Sequence, residues 1–330
     1  TIITKINKII DWNTINYISY QNIPNMKIIV TGGAGFVGSH LVKLLIEKKY
    51  FPIIVDNLSS GKYGYIKKFV DDKKASFLKI DIRNYEKLQT IPKADAVIHL
   101  AAIPSVVEAV KNPIHVNLVN INGTLNMLEL CRTKQIPKFI FTSSSAIYGN
   151  GKNISEKTES NPISTYGFTK LIGEMLCKSY ASTKLKITIL RPFNVYGPRQ
   201  NEEHAGVIYK FINTLKQNKR PTIFGNGNQT RDFIHINDVI TIYEKVLKIK
   251  NKKTIADYNI ATGTSTSINQ LLKICLDVTN KKEKAIFKKG ILEITQNNQI
   301  DIRKLKRDFK IKSNIKLHEG IKEMIENNSQ

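Results

Sequence analysis

The stretch MKIIVTGGAGFVGSH, from Met26 to His40, decides the fold of this 330-residue chain. Its apolar start, MKIIV, predicts a buried strand, and glycines follow at the spacing G-x-x-G-x-x-G. Gly32 permits a tight turn, Gly35 lets a pyrophosphate approach the backbone, and Gly38 lets the next helix pack on the sheet. A helix that begins there presents unpaired N–H groups and the positive end of its dipole. The stretch therefore predicts a dinucleotide-binding turn between a strand and a helix.

An acidic residue at the end of the next strand distinguishes this pattern from an ordinary tight turn. Asp56 follows the apolar run Phe51–Val55, 18 residues after Gly38. A carboxylate at that place can accept hydrogen bonds from both hydroxyls of an adenosine ribose. Because the same carboxylate repels a 2′-phosphate, we predict NAD rather than NADP as the cofactor. Asp81, after the third predicted strand, is placed to meet the adenine edge, and a simple turn residue is the alternative.

Short apolar runs alternate with amphipathic stretches over the first 190 residues. The predicted strands are Met26–Val30, Phe51–Val55, Phe77–Ile80, Ala96–Leu100, Phe139–Thr142 and Ile187–Leu190, and the predicted helices are Ser39–Lys49, Ile114–Thr133 and Tyr166–Thr183. Continuously apolar strands suit a sheet that is covered on both faces. The alternation therefore predicts an α/β fold, a doubly wound parallel sheet with helices on both faces.

The pattern loosens after Arg191, where segments rich in Gly, Pro and Asn begin. We predict a nucleotide-binding domain over residues 26–190, with a return segment near 232–262, and a smaller, mainly substrate-binding lobe over 191–330. Residues 1–25 mix Lys, Asn and Asp with isoleucine and have no continuous apolar core, unlike a signal peptide. We interpret them as an extension that precedes the native start at Met26.

Composition and charge narrow the classes of function. Apolar residues make up 41% of the chain and charged residues 24%, which excludes a disordered protein. No run approaches the roughly 18 apolar residues of a membrane span. The net charge of +24 could attract a polyanion, but the lysines are scattered along the chain. We therefore interpret the charge as a solvated surface and expect no specific nucleic acid as a partner.

The cysteines give a prediction about the compartment. Cys131, Cys177 and Cys275 lie far apart in the sequence, so no close-spaced metal-binding pattern is present. An odd number of cysteines without a secretory signal is typical of a reducing cytoplasm. We expect all three to be buried, small apolar residues and predict no metal site.

A tyrosine and a lysine carry the predicted chemistry. Tyr166 and Lys170, in YGFTK, lie four residues apart at the start of a predicted helix and so project from one face. A tyrosine with a pKa of about 10 is a poor base at neutral pH, but a nearby ammonium and a positive nicotinamide ring both favour its phenolate. Ser144 follows a predicted strand at the edge where doubly wound sheets bind ligands, so its hydroxyl can relay a proton to Tyr166. The alternative is an ordinary surface pair.

The motifs TGGAGFVG, HLAA, TSSSAIYG, YGFTK and RPFNVYGPRQ, together with Asp56, resemble the extended short-chain dehydrogenase/reductase family. More narrowly, the chain resembles NAD-dependent epimerases of the UDP-glucose 4-epimerase type, from about Lys27 to the C-terminus. The resemblance implies a Rossmann fold, a retained NAD, a cytoplasmic location and a homodimer. It also implies an isomerase that interconverts UDP-glucose and UDP-galactose through a transient 4-keto sugar.

The resemblance implies three groups of site residues. It assigns catalysis to Ser144, Tyr166 and Lys170. It assigns cofactor binding to Gly32, Gly35, Phe36, Val37, Gly38, Asp56, Asn57, Asp81, Ile82, Leu100, Ala101, Ala102 and Asn120, together with Tyr166 and Lys170. It assigns substrate binding to Ser105, Ser144, Tyr166, Asn194, Phe224, Arg231, Glu293 and Asn298, with Asn194 and Arg231 on the diphosphate.

Differences from related enzymes bear on the reaction and on the sugar. Ser145 and Ala146 stand where the resemblance places an Asp-Glu pair in sugar 4,6-dehydratases, and decarboxylases have a glutamate in place of Ala146. Because neither acid is present, the resemblance implies a reaction that goes no further than a reversible 4-keto intermediate, as in an epimerase. Asn298 is smaller than the tyrosine of strict glucose/galactose enzymes, so a UDP-GlcNAc/UDP-GalNAc or UDP-glucuronate 4-epimerase is an alternative. A more distant alternative is a non-catalytic NAD-binding or nucleic-acid-associated protein.

Overall fold

The computed structural model describes residues 26–151, 153–200, 206–249, 253–289, 299–311 and 315–327. Its strands are β1 (Lys27–Thr31), β2 (Phe51–Val55), β3 (Ser76–Leu78), β4 (Ala96–His99), β5 (Lys138–Thr142), β6 (Lys186–Pro192), β7 (Asn194–Tyr196), β8 (Thr222–Phe224), β9 (Thr230–Arg231), β10 (Phe233–His235), β11 (Ile255–Ile260), β12 (Thr266–Ser267) and β13 (Ile286–Lys288). Its α-helices are α1 (Phe36–Glu47), α2 (Lys67–Asp71), α3 (Tyr85–Leu88), α4 (Val106–Lys111), α5 (Pro113–Asn117), α6 (Gly123–Thr133), α7 (Thr165–Tyr180), α8 (Val207–Lys216), α9 (Ile236–Lys248), α10 (Ile268–Thr279), α11 (Arg303–Phe309) and α12 (Leu317–Asn327). None of these described helices is long and apolar enough to cross a membrane.

Seven of the described strands form one parallel sheet, in the order β11-β6-β5-β4-β1-β2-β3. The strand order reverses between β1 and β4, which opens a crevice at the carboxyl ends of the strands. Gly32 follows β1, Asp56 follows β2, Leu100 follows β4 and Ser144 follows β5 closely. The topology therefore brings these predicted site residues to one edge of the sheet, and the predicted fold class is confirmed.

The sheet separates two apolar cores. Ile28 of β1 belongs to a buried cluster with Leu41 of α1 and Val239 of α9. Ile29, the next residue, belongs to a second cluster with Leu128 of α6. Successive strand side chains point to opposite faces, so a strand covered on both faces is apolar throughout, as the sequence predicted.

Element boundaries differ from the sequence predictions for identifiable reasons. Helix α1 begins at Phe36, not Ser39, because extended backbone at Gly35 (ψ −175°) directly precedes it. Helix α7 ends at Tyr180 because Ala181 is extended, with ψ 130°. Strand β3 ends at Leu78, where a turn begins, rather than at Ile80.

The predicted helix over 114–133 is not a uniform α-helix. Its first part belongs to α5, and its second part is α6. A π turn, Leu118–Asn122, joins the two. Such a turn inserts an extra residue into the helical ladder and rotates the side chains that follow it.

The segments after β6 serve both the sheet and a smaller lobe. Strand β11 returns to the sheet and pairs with β6. The lobe has a core of its own, in which Phe211 of α8 packs with Leu271 of α10 and Ile321 of α12. Short paired strands, β7 with β10 and β9 with β12, connect this lobe to the edge of the sheet.

Candidate active site

The glycine-rich turn between β1 and α1 packs tightly against the loop that follows β4. Gly32 has a φ of +68°, and a Cβ there would lie 2.9 Å from the Ala101 nitrogen. A Cβ on Gly38 would overlap the Gly32 carbonyl oxygen. Phe36 and Val37 begin α1, and no described side chain caps this helix and no acidic residue lies in its first turn. The backbone N–H groups of that turn are therefore placed to bind phosphate oxygens.

Asp56 links this turn to the end of β2. Its Oδ2 accepts a hydrogen bond from the Ala34 N–H at 3.0 Å, and its Oδ1 accepts one from the Leu58 N–H at 2.8 Å. Burial raises the pKa of Asp56, and these two hydrogen bonds lower it. The carboxylate is thus fixed beside the glycine turn, and this pairing of acid and turn fits the adenosine half of NAD.

Replacing Asp56 with alanine should weaken NAD binding. A hydrogen bond to a charged group contributes about 1.5–3 kcal/mol, which corresponds to roughly 10- to 100-fold in affinity. Calorimetry on protein stripped of cofactor measures this change. Asp95→Ala is the matched control, because Asp95 accepts a hydrogen bond from the Lys27 N–H at the opposite edge of the sheet. Equal NAD affinity in the two variants would contradict the role of Asp56.

Asp81 and Asn57 lie together beside the same edge. Asn57 Nδ2 donates to Asp81 Oδ2 at 3.0 Å. Arg83, a residue that the sequence analysis missed, binds both Asp81 oxygens at 2.8 and 2.9 Å and holds the pKa of that carboxyl well below its usual range. Ile82 is buried and packs close to Gly123. Arg83 thus orients the acid that the sequence analysis places near the adenine.

The π turn places Asn120 between the loop after β4 and the helix that carries Tyr166. The Asn120 Oδ1 accepts a hydrogen bond from the Ile103 N–H at 2.8 Å, and its Nδ2 donates to Thr169 Oγ1 at 3.0 Å. In the same loop, the N–H groups of Leu100 and Ala101 donate to Thr31 Oγ1. Ala102 completes the loop. Asn120 therefore holds two predicted parts of the site at a fixed separation.

Ser144, Tyr166 and Lys170 meet at the end of β5. Ser144 accepts a hydrogen bond from the Ala146 N–H at 3.1 Å, and its hydroxyl is near enough to the Tyr166 hydroxyl to lower the pKa of that tyrosine. The Lys170 Nζ lies 5.9 Å from the centroid of the Tyr166 ring and donates to the Thr142 carbonyl oxygen at 2.8 Å. Lys170 is only 5% exposed, so the pair is not the solvated surface pair that was the alternative.

Burial shifts the pKa of both members of this pair. It raises the pKa of Tyr166 to about 12, while the neighbouring Ser144 hydroxyl lowers it. It lowers the pKa of Lys170 to about 8. In the protein alone, the Tyr166 hydroxyl therefore holds its proton at neutral pH, and added positive charge beside it favours release of that proton.

Asn194 and Arg231 are brought together through the residue that follows Arg231. The Asn194 Nδ2 donates to the Asp232 carbonyl oxygen at 2.9 Å. The Asp232 carboxylate accepts hydrogen bonds from the backbone of Thr262 and Gly263 at 2.9 and 2.7 Å. Arg231 is partly buried, and burial lowers its pKa. Asp232 was not among the predicted site residues, although an acid directly after the predicted arginine was its visible signal.

The remaining predicted substrate residues are not gathered with these two. Ser105 caps α4 by accepting a hydrogen bond from the Glu108 N–H at 3.0 Å. Phe224 ends β8 and is 54% exposed. Glu293 and Asn298 lie outside the described residues. The structure thus groups the predicted cofactor and proton-transfer residues more fully than the predicted sugar contacts.

The chain is similar to several known proteins. Residues 28–261 match the model of the NAD dependent epimerase/dehydratase family. A chain of Methanocaldococcus jannaschii named for UDP-glucose 4-epimerase activity is 40% identical over 305 residues, which cover 90% of this chain and 97% of that one. UDP-N-acetylglucosamine 4-epimerase from Methanobrevibacter ruminantium, solved with UDP-N-acetylmuramic acid, is 33% identical, with a TM-score of 0.85 over 93% of this chain and 99% of that one. UDP-glucuronic acid 4-epimerase from Bacillus cereus, solved with UDP-glucuronic acid and NAD, is 32% identical, with a TM-score of 0.83 over 92% of this chain and 99% of that one.

Proposed function

This chain belongs to the NAD dependent epimerase/dehydratase family, and we propose that it is an NAD-retaining UDP-sugar 4-epimerase. Its proposed substrates are UDP-glucose and UDP-galactose, which interconvert through a transient 4-keto sugar. The observation that carries this proposal is the buried Lys170, which lies 5.9 Å from the Tyr166 ring centroid and is held at the end of β5, where Ser144 follows. The similarity to three named UDP-sugar 4-epimerases supports it.

Proton transfer at C4 of the sugar falls to the side chains at the end of β5. NAD, when bound, supplies a hydride acceptor for C4 and a positive ring beside Tyr166. Tyr166 takes the proton of the C4 hydroxyl, directly or through Ser144, and later returns it. The Lys170 ammonium stabilises the phenolate while the proton is away. Because burial raises the pKa of Tyr166 to about 12 in the protein alone, even with Ser144 beside it, Tyr166 depends on these positive charges to act as a base.

Inversion at C4 requires the sugar to present its second face while the rest of the substrate stays bound. We assign the retention of the diphosphate to Asn194 and Arg231, which the Asp232 backbone holds together. An arginine suits this task because its planar guanidinium can bind two phosphate oxygens at once. Remote binding energy on the UDP part then positions a weakly held sugar.

The residues after Ser144 argue against an elimination or a decarboxylation. Ser145 and Ala146 begin the 3₁₀ turn Ser145–Tyr148. Neither side chain is a carboxylic acid that could exchange a proton near neutral pH. With no acid at these two positions, neither elimination nor decarboxylation competes with the return of hydride to C4. Return of hydride to C4 is the outcome of an epimerase.

Separate incubations with UDP-galactose, UDP-GalNAc and UDP-galacturonate, resolved by chromatography, test the proposal. We expect UDP-galactose to yield UDP-glucose without added NAD. Conversion of UDP-GalNAc or UDP-galacturonate instead would keep the 4-epimerase but change its sugar, in line with the relatives that act on N-acetylated and uronic sugars. No conversion of any of the three, with NAD supplied, would contradict the proposed activity and favour a non-catalytic NAD-binding protein.

We also infer that the protein works in a reducing cytoplasm. Cys131, Cys177 and Cys275, all within the described ranges, are buried free thiols. Burial raises the pKa of each thiol, so all three stay protonated and unreactive at neutral pH.

An exposed apolar face supports a homodimer. The face is formed by Val106, Val107, Val110, Ile114, Leu118, Phe168, Ile172 and Met175. Helices α4 and α5 both pack against α7, which carries the last three of these residues. Val107 is 65% exposed and Met175 is 60% exposed. Apolar faces of this kind mark interaction sites, and we infer that a second copy of the chain covers this one across a two-fold axis.

Phe168→Lys combined with Met175→Lys should convert this dimer to a monomer. The two ammonium groups would have to lose their water in the interface without a partner, which is costly. We expect at least a roughly 100-fold loss of dimer affinity, measured by size-exclusion chromatography with light scattering. Lys43→Glu is the control, because Lys43 lies on α1, at the other face of the sheet. A wild-type protein that is monomeric, or a double variant that dimerises equally well, would contradict the homodimer.

A further inference from the structure

A buried carboxylate next to the proton-transfer residues has no part in the chemistry proposed above. Glu174 lies one helical turn after Lys170 on α7 and is 1% exposed. Its Oε1 accepts a hydrogen bond from the Ser143 hydroxyl at 2.6 Å. Arg191 donates to both Glu174 oxygens, at 2.9 and 2.7 Å. A buried charge is tolerated only with such partners, and these partners fix the carboxylate in one place.

Helix α7 is tied to two consecutive residues of the segment that leads to Ser144. Lys170 donates to the Thr142 carbonyl oxygen, and Glu174 accepts from the hydroxyl of the next residue, Ser143. Side chains four residues apart lie on one face of a helix, so a single face of α7 makes both contacts. Ser144 has extended backbone, with φ −160° and ψ 152°, and successive side chains of an extended segment point in opposite directions. Holding Ser143 on Glu174 therefore fixes the segment from which the Ser144 side chain projects.

We propose that Glu174 is a positioning residue for proton transfer. Through Ser143 it sets the place of Ser144 relative to the Tyr166 hydroxyl, and through its charge it favours the Lys170 ammonium. This role rests on the proposed epimerase function, because it concerns the same three residues.

The groups around Lys170 give the charge of Glu174 a definite effect. Burial lowers the pKa of Lys170 to about 8, whereas the Glu174 carboxylate, one helical turn away on α7, raises it. Cys177 on α7, His99 on β4 and Tyr243 on α9 are uncharged near that pH, because burial moves their pKa values away from it. The Tyr166 ring centroid lies 5.9 Å from the Lys170 Nζ. Glu174, which Arg191 holds as a carboxylate, is therefore the negative charge on α7 that favours the Lys170 ammonium.

Arg191 keeps other partners when Glu174 loses its charge. Its Nη2 lies 3.1 Å from an Asp257 carboxylate oxygen, and its Nη1 donates to the Tyr148 hydroxyl at 2.8 Å. Burial raises the pKa of Tyr148 to about 12, so this tyrosine is neutral. In a Glu174→Gln variant the Arg191 guanidinium therefore still has the Asp257 carboxylate as a partner, and we expect the variant to fold.

Glu174→Gln tests the electrostatic part of the role. Glutamine keeps the size and an oxygen that can accept from Ser143, but it removes the charge. We expect kcat to fall several-fold at alkaline pH, because less of Lys170 then carries the proton that stabilises the Tyr166 phenolate. The alkaline limb of the kcat–pH profile should move to lower pH, because Lys170 then loses its proton more readily. The KM for the UDP-sugar and the amount of retained NAD should stay at wild-type values.

Two further variants separate position from charge. Ser143→Ala and Glu174→Asp both keep the negative charge but break or shorten the contact with the segment before Ser144. Both should lower kcat and leave the alkaline limb in place. A wild-type alkaline limb in folded Glu174→Gln overturns the electrostatic part, and wild-type kcat in Ser143→Ala overturns the positioning part. In both of these cases the wild-type protein still epimerises its UDP-sugar. If the proposed function is wrong, the wild-type protein itself shows no epimerisation.

Discussion

Replacing Tyr166 with phenylalanine should lower kcat by at least about 10²-fold, the low end for loss of a general base. The variant removes one oxygen and with it the hydroxyl next to Ser144, while the ring near the Lys170 ammonium stays in place. The KM for the UDP-sugar should change little, because Asn194 and Arg231 remain in place. Steady-state kinetics with the UDP-sugar that the protein converts measure both constants.

Tyr180→Phe is the matched control for this variant. Tyr180 lies at the end of the same helix, and its hydroxyl donates to Glu129 at 2.6 Å, away from the edge where Ser144 lies. The control loses one hydrogen bond and should keep wild-type kcat. A Tyr166→Phe protein that turns over as fast as this control would refute Tyr166 as the base.

Replacing Arg231 with alanine should raise the KM for the UDP-sugar by roughly 10- to 100-fold. A charge-assisted hydrogen bond contributes about 1.5–3 kcal/mol, and a guanidinium can form two of them with a diphosphate. Arg231→Lys should recover only part of the loss, because an ammonium cannot bind two oxygens in the same planar geometry. Free UDP should bind these variants more weakly in the same order, as measured by calorimetry.

Arg303→Ala controls for the loss of a positive charge. Arg303 is exposed and pairs with Asp301 two residues before it. Its removal should leave the KM for the UDP-sugar and the affinity for UDP unchanged. If Arg231→Ala behaved like Arg303→Ala, the diphosphate would have to be bound elsewhere.

The parts of the fold that the sequence predicts well are those that a single physical pattern determines. Continuous apolar runs gave β1, β2 and β4, because both faces of a central parallel strand are buried. Strand β11 has the mixed sequence IADYNI, which lies at the edge of the sheet and carries no such pattern. The π turn at Leu118–Asn122 depends on how α5 and α6 pack, and this packing leaves no recognisable pattern in the local sequence.

The residues of the candidate site could likewise be predicted only where a local sequence pattern determines them. Gly32 and Gly38 could be predicted because a tight backbone approach requires glycine. Tyr166 and Lys170 could be paired because helical spacing puts them on one face. Glu174 could not be assigned a role, because its partner Ser143 lies outside α7 and 31 residues away in sequence.

The most direct test of the account uses UDP-glucose labelled with deuterium at C4. The protein is incubated with this substrate in ordinary water without added NAD, and the UDP-galactose formed is analysed by mass spectrometry and NMR. We expect UDP-galactose that still carries deuterium at C4, because the hydrogen leaves and returns to the same carbon without exchange with water. UDP-galactose with hydrogen from water at C4, or no UDP-galactose at all, would contradict it.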